Sequence, residues 1–377
     1  MKSLWLALAA AALLSLPAAA MRPVLLEDQG SFFAGGTVRT AEGVYRGNED
    51  ARDLSGETLH GDHAYVFWQR PAHARTMALV FLHGAGQSGK TWETTPDGRD
   101  GFQNIFLEKG YATYVVDQPR RGRAGRSTVP ETISAVPDDQ LWYNNFRIGV
   151  WPETLPGAAA AQEQHAVVRL GDLARRRGAA AADDAAWRDQ FFRQMTPNTG
   201  AYDEDVISRA MAAVFERSGP GVLVSHSQGG GPGWRTAILS DKVRGVIAIE
   251  PGTFPFPEGE VPPVEETSSP FPAAGTAVPI ADFLRLTKIP VLVIFGDNIP
   301  EEPTDVWGLD NWRVRLRLAR RWAETVNRHG GDAAVLSLPD AGLYGNTHFL
   351  MSDRNNREVA DLMERWMETH HLDGKKA

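Results

Sequence analysis

The 377-residue chain contains no cysteine. Disulfides, cysteine-ligated zinc, iron–sulfur clusters and thiol catalysis are therefore excluded. Basic residues are not in surplus: 39 lysines and arginines stand against 47 acidic residues, a net charge of −8. A nucleic acid is not expected as partner, because phosphate binding needs a basic surface. No segment after the first twenty residues reaches the roughly 18 apolar residues of a membrane span. There is no internal repeat and no polar tract of the kind that keeps a whole chain disordered.

What is present begins with a leader-like segment. Lys2 precedes an uncharged apolar run from Leu4 to Leu16, Pro17 breaks it, and Ala18-Ala19-Ala20 offers a small-residue cleavage site. Residues 1–20 thus read as a secretory signal. A periplasmic or secreted mature protein, residues 21–377, is expected, free of the membrane after cleavage.

From residue 64 onward the text alternates between short apolar runs and helical stretches. Tyr65–Trp68, Ala78–Leu82, Tyr111–Val116, Gly221–Val224, Gly245–Ile249, Val291–Phe295 and Ala333–Leu338 read as strands, and Gly36–Arg39 as a short early one. Helical patterns fill the gaps, including Phe102–Lys109, Trp234–Leu239, Trp312–Asn327 and Glu358–Thr369. Strands separated by helices predict an α/β fold with a mostly parallel sheet. Two stretches interrupt the rhythm. Residues 127–218, rich in Ala, Arg and Trp, read as an inserted helical cap with helices near Gln162–Arg177 and Asp205–Phe215. Residues 251–279 hold eight prolines and read as a loop. The end, Gly374 to Ala377, is expected to fray.

The most informative segment is Val222-Leu223-Val224-Ser225-His226-Ser227-Gln228-Gly229-Gly230. An apolar strand ends, a serine with small neighbours at −2 and +2 follows, and a helix begins. That is the pattern of a nucleophile elbow, in which a strained turn lifts the Ser227 hydroxyl clear of the sheet. Ser225 competes but falls within the strand end. The loop after an earlier strand, His83-Gly84-Ala85-Gly86, is a candidate oxyanion hole. Acyl transfer needs two backbone N–H groups aimed at the developing negative oxygen. Gln228 and Ala85 are the expected donors, with Gly84 as second choice for the latter.

Of ten histidines, His348 follows the last predicted strand and precedes the last helix, where a loop can fold over the strand ends. It is the expected general base. His60, Asp62 and His63 read as solvated loop residues, and His370 and His371 as part of a tail. Two carboxylates compete to orient His348. Glu250 and Asp297 end successive strands, and spacing does not decide between them. Trp92, Trp142 and Trp151 are expected to shape an apolar pocket.

With these residues placed, the chain resembles the esterase-713-like family of bacterial α/β-hydrolases. The likeness is carried by Ser31-Phe32-Phe33-Ala34-Gly35-Gly36, by Thr91 to Arg99, by Gly110 to Gln118 with Arg121-Gly122-Arg123, and by the elbow. It continues through Glu250-Pro251-Gly252, Gly296-Asp297-Asn298, Gly345-Asn346-Thr347-His348 and Asp353-Arg354-Asn355-Asn356. The resemblance implies an α/β-hydrolase fold, Ser227 as nucleophile, His348 as base, Glu250 rather than Asp297 as the acid, and Ala85 and Gln228 as oxyanion donors. It implies an exported serine carboxylic-ester hydrolase of small-molecule substrates that needs no cofactor or metal. A homodimer is left open. A lactonase, amidase or peptidase on the same fold, or a binding protein without activity, is not separated from an esterase by these residues.

Overall fold

The computed structural model describes residues 23–46, 49–149 and 185–375. The leader, the Gln162–Arg177 helix and Trp151 lie outside the described residues. Eight strands form one sheet in the order β1-β2-β4-β3-β5-β6-β9-β10. Strands β1 (Leu26–Thr40) and β2 (Thr58–Pro71) pair antiparallel, and β2 joins β4 antiparallel. The other pairs, among β3 (Ala78–Leu82), β4 (Thr113–Asp117), β5 (Gly221–His226), β6 (Val243–Ile249), β9 (Pro290–Phe295) and β10 (Asp332–Ser337), are parallel.

Helices cover both faces, so the central strands are buried on two sides and spell continuous apolar runs. Along β3, Val80 and Leu82 join one core while Leu79 and Phe81 join the other. The first core is closed by α4 (Glu204–Ser218), α5 (Gly230–Leu239), α6 (Ile280–Leu286) and α7 (Trp307–Arg328). The second is closed chiefly by α1 (Phe102–Glu108) and α8 (Asn356–Thr369). The remaining described helices, α2 (Asp139–Asn145) and α3 (Ala185–Arg193), lend it Tyr143, Trp187 and Phe191. In α7 the buried residues Leu309, Trp312, Leu316, Ala319, Ala323 and Val326 recur at three- and four-residue steps, the stripe of a helix packed on one side. Among the described residues no helix is long and apolar enough to cross a membrane.

Several expectations are corrected. Helix α4 falls inside the stretch read as a cap, yet it is the crossover helix leading into β5. Asp203 caps it by accepting from Val206 N–H at 3.1 Å, and Ile207, Met211, Val214 and Phe215 bury against the sheet. The proline-rich stretch is not all loop. It contains β7 (Phe254–Pro257) and β8 (Gly275–Val278), a separate parallel pair. Glu258 N–H donates to Val278 O at 2.9 Å, so alternate residues face the partner strand and Pro255 and Pro257 place their missing N–H groups on the outer edge. The chain end is tied down at Gly374, whose carbonyl accepts from Thr76 N–H at 2.9 Å. His60 and His63 lie in β2 rather than a loop, and Asp62 is buried against Arg120 (2.8 Å) and Thr128. Trp92 is plain core, against Phe81 and Phe102.

Trp322 joins the small sheet to the body. It is fully buried, packs with tilted rings against Trp234 (4.7 Å) and Phe254 (5.5 Å), and donates its indole N–H to Pro255 O at 2.7 Å. Trp322→Ala should cost about 3–5 kcal/mol of stability, the range for truncating a buried indole. Urea unfolding of the two proteins checks this, and a loss under about 1 kcal/mol would contradict it.

Candidate active site

Ser227 stands where β5 turns into α5, through a single 3₁₀ turn at Ser227–Gly229. Its φ is +53°, the left-handed region that costs a side chain energy and marks an elbow. The turn is held by close backbone packing. A Cβ on Gly229 would lie 2.5 Å from His83 O, and one on Gly84 would lie 2.8 Å from Ser227 Cβ. The elbow and the 83–86 loop therefore touch, and only glycine fits at either contact. Ser225, the competing serine, is buried inside β5.

The 83–86 loop is fixed from the end of β4. Gln118 N–H donates to His83 Nε2 at 3.2 Å, and the Gln118 side chain donates to His83 O at 2.6 Å. Arg121 Nη1 donates to Gly84 O at 3.1 Å. His83 is wholly buried, and burial together with the Arg121 charge takes its pKa down to about 3, so the ring is neutral. Ala85 N–H donates to no other described residue, which leaves it available to a ligand.

Glu250 directly follows β6 with a φ of +42° and is fully buried. Its Oε2 accepts from His348 Nδ1 at 2.6 Å. Its Oε1 accepts from Gly296 N–H at 2.7 Å and from Arg147 Nη2. Burial alone would raise the Glu250 pKa, but Arg147, His348 and the Gly296 amide outweigh it and hold the carboxyl below its ordinary range. His348 is 1% exposed, and burial, helped by the charges of Arg147 and Arg315, keeps its pKa below 6.5 despite Glu250. The imidazole is thus neutral at pH 7, with its proton on Nδ1 and Nε2 left as the basic nitrogen.

Asp297, the other candidate acid, is placed elsewhere. It accepts from Gly345 N–H at 2.8 Å, and its own N–H donates to Asn346 O at 2.9 Å, so it braces the loop that carries His348. The residue before Ser227 ties the elbow to the loop that carries His348. His226 Nε2 donates to His348 O at 3.0 Å, and the two rings lie 4.4 Å apart. Burial and the neighbouring His348 push the His226 pKa well down, so this ring is a neutral strut. Ser227 Oγ makes no hydrogen bond to another described residue; apo sites often tighten this contact only around substrate.

Ser227 and Gln228 open on a cavity of about 460 Å³ lined by Trp142, Phe146, Phe271, Trp307 and Trp312 among others. A larger recess of about 1340 Å³, between Pro23–Leu25, Leu107–Gly110 and Arg354–Glu358, contains none of the candidate residues.

Sequence reasoning missed Arg147. It is 1% exposed as a side chain, carries φ +57°, spans Glu250 and Asp297 O (2.9 Å), and lies over the Trp312 ring at 4.9 Å. No motif marked it, since it sits in weakly patterned text between α2 and the undescribed segment. Gln118, Arg121 and Asp353 were visible only as parts of motifs, without roles.

Residues 79–372 match the Alpha/beta hydrolase family. The chain belongs to that family. A solved structure titled "The Atomic Resolution Structure of a Novel Bacterial Esterase" superposes with a TM-score of 0.68 at 28% identity, covering 93% of this chain and 98% of that one. A curated protein of a fungal species, named "Probable secreted lipase phiG", is 27% identical over 322 residues, 77% of this chain and 81% of its own. The α/β-hydrolase fold and the resemblance to the esterase-713-like family are borne out.

Asp353 generates a test of the loop that carries His348. It is buried, and its carboxylate accepts from Thr347 N–H (2.8 Å), Thr347 Oγ1 (3.0 Å) and Asn346 Nδ2 (3.1 Å). Burial outweighs these donors and raises its pKa to about 7. A carboxyl with a raised pKa binds more protons folded than unfolded, so its contribution to stability falls as pH rises from about 4 toward 7. Relative to Asp353→Asn, the wild type should lose stability across that window in urea titrations. Parallel pH profiles for the two proteins would contradict the assignment.

Proposed function

We propose that this chain is an exported serine carboxylic-ester hydrolase that works through an acyl-enzyme, with Ser227, His348 and Glu250 as its triad. The observation that carries the proposal is the buried pair of Glu250 and His348 Nδ1 (2.6 Å), stitched through His226 to a serine with φ +53° at a strand-to-helix turn. Both relatives bear the names of ester hydrolases. The leader-like first twenty residues and the secreted relative support export.

In the first half-reaction Ser227 Oγ attacks the ester carbonyl carbon and His348 Nε2 takes its proton. The carbonyl oxygen becomes an oxyanion facing the backbone N–H groups of Ala85 and Gln228, each such donor contributing roughly a hundred- to thousandfold in rate. The tetrahedral centre collapses, the C–O bond to the alcohol breaks, and His348 returns the proton to the leaving oxygen. Water then attacks the acyl-serine by the same route. Glu250 keeps the imidazole proton on Nδ1 and balances the charge that forms on the ring.

Three outcomes are expected. Ser227→Ala should lower p-nitrophenyl acetate hydrolysis by at least about ten-thousandfold with an unchanged melting curve; near-wild-type turnover would remove the serine mechanism. Glu250→Gln should cost about a hundredfold or more in kcat, far beyond Asp297→Asn. The reverse ranking would make Asp297 the acid. Because His348 must be neutral to accept the proton and its pKa is held below 6.5, the acid limb of kcat/KM should lie below that pH. A limb above about pH 7 would contradict His348 as the base.

A further inference from the structure

The cavity before Ser227 is walled by several aromatic rings, and one arginine, Arg315, also lines it. Arg315 stands on α7 eight residues after Trp307 and four after Asn311, so helical spacing brings all three to one wall. The neighbouring arginines of α7 are committed elsewhere. Arg313 pairs with Asp310 and Glu265, Arg317 and Arg321 reach Glu265, Arg328 reaches Glu260, and Arg320 is exposed. Arg315 differs. It is half-buried, and no described carboxylate lies within ion-pair distance. Only its Nη1 donates, to neutral oxygens: Asn311 O at 3.1 Å, Asn311 Oδ1, and Phe271 O at 3.4 Å. The guanidinium lies 5.8 Å from the Trp312 ring, and Nε and Nη2 make no hydrogen bond to a described residue. These are the two N–H groups that meet a carboxylate side by side.

A cation half removed from water without a counter-ion is costly. Burial lowers the Arg315 pKa to about 10, which leaves it charged at neutral pH. Its field is felt at His348, whose pKa it helps to depress, so the guanidinium lies within electrostatic reach of the reaction centre. The other charged wall residue, Glu204, does not neutralise it. Glu204 opens α4 beside Gly231 of α5, and the charges that act on it are those of Arg235 and Asp205.

We propose that Arg315 is a specificity residue for a substrate carboxylate, and that the preferred substrates are esters bearing a free carboxylate near the scissile bond. This rests on the ester-hydrolase reading. The planar guanidinium offers its Nε–Nη2 edge to the two carboxylate oxygens, while the aromatic walls take the methylene chain. Such a carboxylate can belong to the acyl group, as in a dicarboxylic acid hemiester, or to the alcohol.

Matched ester pairs test this by pH-stat titration near pH 7. Monoethyl adipate against ethyl hexanoate probes the acyl side, and 4-acetoxybutanoate against butyl acetate probes the alcohol side. In at least one pair the charged ester should show a kcat/KM at least about tenfold higher, expressed mainly in KM. That preference should collapse in Arg315→Met and return in part in Arg315→Lys, each variant checked by its melting curve. A wild-type ratio near one in both pairs, or a ratio that survives Arg315→Met, overturns the carboxylate assignment while neutral esters are still cleaved. Failure to cleave any of these esters, with Ser227→Ala no different, overturns the ester reading and this proposal with it.

Discussion

The centre of the structure depends on one buried charge. Glu250 has no exposed surface, and a carboxylate in that position is unfavourable unless its oxygens are satisfied. Arg147, Gly296 N–H and His348 Nδ1 satisfy them. The same three contacts lock the imidazole's tautomer and set its direction. They also draw together the end of β6, the turn after β9, the loop before α8 and the segment after α2, four stretches far apart in sequence. Removing one partner would leave an uncompensated charge in the interior, so the site and the packing around it stand or fall together.

The second constraint is crowding at the elbow. Gly84 and Gly229 carry no side chain because Ser227 and His83 occupy the space a Cβ would need. The 83–86 loop cannot drift from the serine, and Gln118 and Arg121 fix its far side. In a chain without cysteine this hydrogen-bonded network supplies the rigidity that preorganised oxyanion donors require. His226 completes the arrangement by tying the strand end to the His348 carbonyl.

How much of this was legible in the amino-acid sequence follows from burial. The central strands face apolar layers on both sides, so β3, β5 and β9 stand out as unbroken apolar runs. The outer strand β1 is mostly exposed, so its sequence shows only a fragment, Gly36–Arg39, as strand-like. The serine turn was legible because an elbow constrains local residue size. The pairing of Glu250 with His348 is not legible from spacing, since Asp297 ends the next strand in an equivalent place; the family resemblance favours Glu250, and the contact with His348 Nδ1 is what distinguishes it physically. Helix α4 reads as cap because its alanines and arginines mask a buried stripe. The pair β7–β8 was hidden by prolines that a two-stranded ribbon tolerates on its outer edge. Arg147 had no sequence signal, because its role comes from what it meets and not from its neighbours.

The most direct measurement of the central claim is covalent. A fluorophosphonate reacts only with a serine activated by a correctly held imidazole, and peptide mass mapping locates the adduct. The account predicts a single adduct on Ser227 itself, distinguished from Ser225 by fragmentation of their shared peptide, formed by the wild-type protein and not by His348→Ala. An adduct on Ser225 or any other serine, or labelling of Ser227 that is indifferent to the loss of His348, would contradict it.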